Sequence, residues 1–189
     1  MAQVSDLCAL SFCFRREEKF WFKTLYYLPE EMLHTSPNRE LYKYWHNTKQ
    51  LIVSPGNVTD YDLILNDLMK LREKISIGKI LYDKFNSTQF VVNSLENGLP
   101  MEEYSQSLAS FNKPTKELQR LILSNKVVID DNEITRWCFR NVSLKWDFNE
   151  NCKPYKTSLN QKIDGCIAMI QAIVPWIEQR TFDGELLIL

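Results

Sequence analysis

This 189-residue chain lacks the residue patterns that build metal-sulfur or disulfide frameworks. Its five cysteines (Cys8, Cys13, Cys138, Cys152 and Cys166) form no CxxC pair, and it has only two histidines, His34 and His46. A structural zinc site has no ligand set here, and an odd cysteine count fits a reducing compartment better than a disulfide scaffold. Excess charge is also missing. The formal net charge is −1, so bulk composition does not mark a nucleic-acid binder, although charge can be segregated onto one face. The longest apolar run, "CIAMIQAIVPWI", is interrupted by Gln171 and Pro175 and reads as a buried helix, too short to span a bilayer. "MAQVSDLCAL" has no basic n-region of a signal peptide. No internal repeat, low-complexity tract or linker divides the chain.

What is present is core-forming material: 44% of residues are hydrophobic and 12% aromatic, ample for one packed domain. "DLCALSFCFRR" and "KFWFKTLYYLP" read as two strands joined at Glu17-Glu18, ending at Pro29. A helix in two pieces around Pro37 follows, then a short strand, "LIVSPGN", stopped by Pro55-Gly56. "TDYDLILNDLMKLREKI" is an amphipathic helix with Thr59 or Asp60 as cap and Ile64, Leu68, Leu71 and Ile75 as its buried stripe. Beyond Gly78, "KILYDKF" has the look of a central strand. Residues 86–97 read as helix, "MEEYSQ" as strand, "TKELQRLILSN" as helix and "KVVID" as strand. "NEITRWCFRNV" resumes helix with Asn132 as cap. Residues 143–157 are polar, aromatic and proline-broken, a loop or ragged hairpin. The last helix is expected from near Ser158 and to weaken at Pro175. A hairpin, alternating helices and strands and a closing helix make a mixed α/β sheet with helices on its faces.

Two carboxylates stand out by context. Asp83 lies on the C-terminal side of "KILYDKF", where α/β sheets place their sites. Asp164 opens the apolar run of "QKIDGCIAMI", beside a stripe of Ile163, Ile167, Ile170 and Val174, with small neighbours at Gly165 and Ala168. Two acids far apart in sequence can converge on a hard divalent cation, Mg²⁺ or Mn²⁺, which activates water and stabilises a leaving phosphate oxygen. Each also has an ordinary explanation: a strand-end Asp serves turns, and an Asp in a first helical turn favours the dipole. Asp60 and Asp62 suit capping. Asp6, in a Ser-Asp pair before the first strand, stays open. The residues alone give an α/β domain with a possible metal-dependent site.

Five stretches, in order, resemble the nuclease domain of the large terminase subunit of tailed bacteriophages. They are "VSDLCAL", "VSPGNVTDYDLI", "ILYDKFNSTQ", "FNKPTKELQRLIL" and the long block "RWCFRNVSLKWDFNENCKPYKTSLNQKIDGCIAMIQAI", the most specific of them. The resemblance implies an RNase H-like fold and a two-metal endonuclease, using Mg²⁺ or Mn²⁺, that cuts concatemeric double-stranded viral DNA during packaging. By motif position Asp83 corresponds to the family's second metal-binding acid and Asp164 to the third, with Asp6 an additional acid near the site. Implied partners are viral DNA, the terminase small subunit and the capsid portal, in the cytoplasm of a bacterial host and away from any membrane.

Two departures from the family pattern shape the expectations. The family's first metal acid lies on a central strand just ahead of an "AQVSD"-like segment, a position that here falls before Met1. No GxxxxGK[ST] loop of the upstream ATPase motor is present. Residues 1–189 therefore read as a single nuclease domain, the C-terminal part of a longer protein, with a sheet lacking its first central strand. That leaves a second reading open: a catalytically incomplete module that docks DNA or serves assembly. DNA contact is expected to be electrostatic and indifferent to sequence, through Lys84 beside Asp83 and through Lys153, Lys156 and Lys162 leading to Asp164.

Overall fold

The computed structural model describes residues 6–84 and 88–186, with side chains through Gln179. It opens with an antiparallel hairpin. β1 (Cys8–Arg16) pairs with β2 (Lys19–Pro29) from Cys8↔Tyr27 to Arg16↔Lys19. The two-residue turn puts Glu17 at φ 56, the left-handed conformation that a tight hairpin demands. Along β2, Phe20, Phe22 and Thr24 alternate inward, the period-two pattern of a half-buried strand.

β2 is the spine of the main sheet. Short parallel partners lie along its other edge. β3 (Ile52–Ser54) pairs at Tyr27–Pro29, and β6 (Val127–Ile129) at Phe20–Phe22. β4 (Ile80–Tyr82) and β5 (Met101–Glu103) form a separate parallel pair. β4 was expected to be central. It is instead three residues long, and among the described residues it pairs only with β5.

Helices cover both faces. α3 (Tyr61–Arg72) packs Ile64 and Leu68 against Tyr27, Cys8, Leu10 and Phe12. On the opposite face, α5 (Leu108–Leu123) and α7 (Asp164–Leu186) enclose Phe20 and Phe22 with Phe111, Leu118, Met169 and Ile173. α1 (Met32–Thr35), α2 (Arg39–Asn47) and α6 (Glu133–Asn141) close a third cluster around Tyr26 and Leu28. α4 (Thr88–Glu96) follows β4; residues 86 and 87, expected to be helical, lie outside the described residues. Asp60 and Asn132 cap α3 and α6 as their sequence positions suggest, accepting from Leu63 N and Ile134 N respectively.

Three elements depart from expectation, each for a local reason. α5 begins at Leu108 and contains Pro114. Ser107 caps it, and the Tyr104 hydroxyl donates to the Ser110 carbonyl at 2.6 Å, the acceptor that Pro114 cannot reach. Residues 142–156 form a regular hairpin of β7 (Val142–Trp146) and β8 (Cys152–Lys156). Its turn is organised by Asp147, whose carboxylate accepts from Asn149 N, Asn151 N and Asn151 Nδ2. α7 starts at Asp164, not Ser158, because the Gln161 side chain accepts from both Thr157 N and Thr157 Oγ1 and holds a turn. It then continues past Pro175.

Candidate active site

The N-terminus of α7 is seated with little freedom. Tyr26 is fully buried, and its hydroxyl lies 2.8 Å from Thr135 Oγ1 on α6. A Cβ placed on Gly165 would stand 2.1 Å from Tyr26 Oη and 3.0 Å from Cζ, so only glycine admits this approach. The Gly165 N–H donates to the thiol sulfur of Cys138, also on α6. Tyr26, Thr135 and Cys138 thus fix the first turn of the helix, and with it Asp164.

Asp164 is partly buried. Burial pushes its carboxyl up to about 6, and the Asp6 carboxylate adds to the rise, while Lys156 and Lys162 offset part of it. Among the described residues no other side chain hydrogen-bonds or ion-pairs with this carboxylate. Asp6 is better provided. It accepts from Leu7 N at 2.7 Å and grips the Lys162 ammonium at 2.7 and 2.8 Å on its two oxygens. The Lys162 side chain is only 13% exposed, and the Lys162 carbonyl accepts from Asn141 Nδ2. The cluster holds two acids against one close lysine. Cys8 lies near enough to Asp164 that the acid reinforces burial in pushing its thiol up to about 12.

Asp83 follows directly on β4, at the C-terminal end of that strand. Next to it, Lys84 is exposed and lies 3.6 Å from Glu103. Lys156, at the end of β8, is exposed, and its ammonium forms no hydrogen bond or ion pair among the described residues. Lys153 is engaged elsewhere. Its ammonium donates to the Gln106 carbonyl and sits 5.4 Å over the Phe111 ring. Asp6, Asp164, Lys156 and Lys162 are therefore electrostatic neighbours, whereas Lys153 fastens β8 to the start of α5. Among the described residues, no group of three or more His, Cys, Asp or Glu side chains is arranged to hold a metal ion.

The donor chemistry still suits a hard cation. Carboxylate oxygens select Mg²⁺ or Mn²⁺ over softer metals, and a divalent ion would relieve the repulsion and desolvation that raise Asp164. Sequence reasoning found the acid but not its supports. Tyr26 and Thr135 are ordinary positions in a strand and a helix pattern, and nothing local marks either one.

A family model described as the terminase large subunit, endonuclease domain, matches residues 1–179. Protein YmfN of Escherichia coli strain K12 is 31% identical over 137 residues, covering 71% of this chain and 30% of that protein. The large terminase subunit of Enterobacteria phage HK97 is 22% identical over 174 residues, covering 89% of this chain and 34% of the relative. The chain thus spans about a third of the length of these relatives. The crystal structure of the HK97 large terminase superposes with a TM-score of 0.80 over 89% of this chain and 36% of that one, at 22% identity. The large terminase nuclease of thermophilic phage G20c gives 0.53 at 10% identity, covering 89% and 82%. No described helix is long and apolar enough to cross a membrane.

Proposed function

Since the chain belongs to the terminase large-subunit endonuclease family, we propose that it is the DNA-cutting domain of a phage packaging terminase. On this reading it is the C-terminal part of a longer protein and hydrolyses concatemeric double-stranded viral DNA with Mg²⁺ or Mn²⁺. Asp83 and Asp164 are the metal ligands, and Asp6 is an auxiliary acid whose position Lys162 fixes. The observation that carries the reading is the Asp164 carboxylate, which has no side-chain hydrogen-bond or ion-pair partner among the described residues and is raised by burial and by Asp6, on a helix start that Tyr26 holds closely. A buried acid beside a second acid costs stability unless a cation shares it. When bound, the metal would activate water and stabilise the leaving oxygen; the protein's part is to hold the ligands and to present lysines to the phosphates. DNA, the terminase small subunit, the capsid portal and the host cytoplasm enter through the same reading.

The test is nicking of supercoiled plasmid. Nicking in Mn²⁺ or Mg²⁺ that chelator abolishes is expected, from this chain or from a version extended upstream. Absence of cutting in every divalent metal, together with salt-sensitive DNA binding, would support the second reading, a docking or assembly module.

For DNA binding, Lys156→Gln is expected to weaken affinity uniformly across sequences. It should lower the slope of log affinity against log salt by about 1. Lys153→Gln should change the slope less, because that ammonium is already bound to Gln106 and Phe111. Salt titrations of the two variants compare these directly, and equal slope changes would return Lys153 to the DNA surface.

A further inference from the structure

The register of the β1–β2 hairpin leaves an aromatic pair outside the core near its turn. Residues directly opposite each other on an antiparallel pair share a face of the sheet, as do residues two apart on one strand. Leu10, Phe12, Leu25 and Tyr27 lie on one face and pack into the cluster of α3. Phe14 and Trp21, paired across the strands, continue that face toward the turn without joining the cluster; they are 41% and 43% exposed. Val128 of β6 lies beside Trp21 in register and extends the row onto a third strand. The alternate residues Cys13, Phe20 and Phe22 are committed to the cluster of α5 and α7 on the opposite face. Strand alternation thus holds both rings outward.

Cations frame the rings. Arg16 and Lys19 face each other across the pair on the turn side, and Lys23 follows Trp21 on the other side. All three are exposed. The Arg16 and Lys19 side chains form no hydrogen bond or ion pair among the described residues. Glu17 sits in the turn itself, and the other acids bordering the face are engaged. Glu18 holds Lys126 at 2.9 Å, Asp131 holds Arg136 at 2.6 Å, and the Asp130 carboxylate accepts from Thr24 N. In a chain of formal net charge −1, three exposed cations around two exposed rings are a local segregation of positive charge.

We infer that this face is a stacking platform for the unpaired bases of a single-stranded nucleic acid. Two rings on adjacent strands offer flat surfaces to successive bases, and every base has a π-face, so binding is indifferent to sequence. Arg16, Lys19 and Lys23 are placed around the rings to take the backbone phosphates. An acidic peptide would satisfy the cations but not the rings; a nucleotide carries one flat ring per phosphate, the combination this face presents. A duplex keeps its bases stacked inside and would leave both rings idle, so the partner is single-stranded. The platform is separate from the site at Asp164. Tyr26, which seats the first turn of α7, is five residues beyond Trp21 on β2, roughly 17 Å along the strand. The inference does not rest on the nuclease reading.

The probe is a fluorescein-labelled oligothymidylate of about twelve nucleotides, titrated into the full chain in chelator and followed by anisotropy. Its control carries the same phosphates on abasic sugars. The expected result is saturable binding of the probe, with at least about tenfold weaker binding of the abasic control and of the probe to Trp21→Ala. Trp21→Phe, which keeps a ring, should recover most of the affinity. Arg16→Gln and Lys19→Gln together should lower the slope of log affinity against log salt by about 1.4, the single-strand value for two phosphates. If Trp21→Ala fails to fold, the abasic control and the salt slope decide. No saturable binding, equal binding of the abasic control, or unchanged affinity in Trp21→Ala would overturn the inference. An equal loss of duplex binding in Trp21→Ala would also overturn it. So would a dimer in sedimentation that Trp21→Ala dissociates, which would give the face to a second copy. The oligonucleotide titrations are metal-free, and plasmid nicking should be unchanged in Trp21→Ala, so failure here and failure of the nuclease reading are told apart.

Discussion

Asp164→Asn is expected to make the protein more stable at pH 8 and to abolish its metal-dependent cutting of DNA. The stability effect follows from the raised carboxyl. In the unfolded chain the group titrates near 3.8 and in the folded protein near 6. Below the lower value it is protonated in both states and costs nothing. As pH rises through about 6 the folded protein must carry a poorly solvated anion beside Asp6, and relative stability falls. Two pKa units correspond to about 3 kcal/mol, and partial exposure of the side chain reduces that to about 1–2 kcal/mol. Asparagine keeps the shape without the charge. Its melting temperature should exceed that of the parent by roughly 3–6 °C at pH 8, and the gap should close near pH 4. Mn²⁺ should raise the melting temperature of the parent and not of the variant. Catalysis should move the other way: losing a metal ligand removes several kcal/mol of transition-state stabilisation, at least about 10³ in rate. Asp83→Asn should lose activity to the same degree. Thermal melts from pH 4 to 8, run beside plasmid nicking, test both halves. Undiminished cutting by Asp164→Asn would take it out of the site.

Gly165→Ala is expected to be among the most damaging single-methyl changes available in this chain. The new Cβ would meet Tyr26 Oη at 2.1 Å and Cε1 at 3.1 Å. Neither partner can yield cheaply, because Tyr26 is fully enclosed and its hydroxyl is held by Thr135. Overpacking of this kind costs about 1–3 kcal/mol or more, a fall of roughly 5–10 °C for a domain of this size. Relief would come from displacement of the first turn of α7, so cutting should fall even at temperatures where the variant is folded. Combining it with Tyr26→Phe removes the closest atom, and the double variant should recover part of the loss, with non-additive energies. A Gly165→Ala protein melting within 1–2 °C of the parent, on the order of 0.5 kcal/mol, would contradict the tight seat described for Asp164.

The sequence carried the locally encoded parts of this fold. The β1–β2 hairpin was visible in its alternation, and α3 in its 3.6-residue stripe and its Asp60 cap, because each depends on neighbours a few positions away. What stayed hidden was settled by distant partners. The helix read from Thr115 begins earlier and runs through Pro114, because the Tyr104 hydroxyl serves the carbonyl that proline orphans. Residues 143–157 read as ragged, but Asp147 organises their turn, and Asn112 on α5 accepts from Cys152 N at the start of β8. The candidate site divides the same way. Asp83 and Asp164 stood out as candidates by their contexts and by the family motif, and Asp6 by the motif alone. The grip of Lys162 on Asp6 joins residues 156 positions apart, and no periodicity announces it. The stacking of Lys153 over Phe111 is equally invisible, which is why that lysine resembled the exposed Lys156 on paper.

Anomalous diffraction from crystals soaked in Mn²⁺ locates the ion without reference to activity. The nuclease reading predicts a manganese peak within coordination distance, about 2.0–2.2 Å, of carboxylate oxygens from both Asp83 and Asp164. A fully soaked crystal with no peak there, or with the two carboxyl groups too far apart to share an ion, would contradict it.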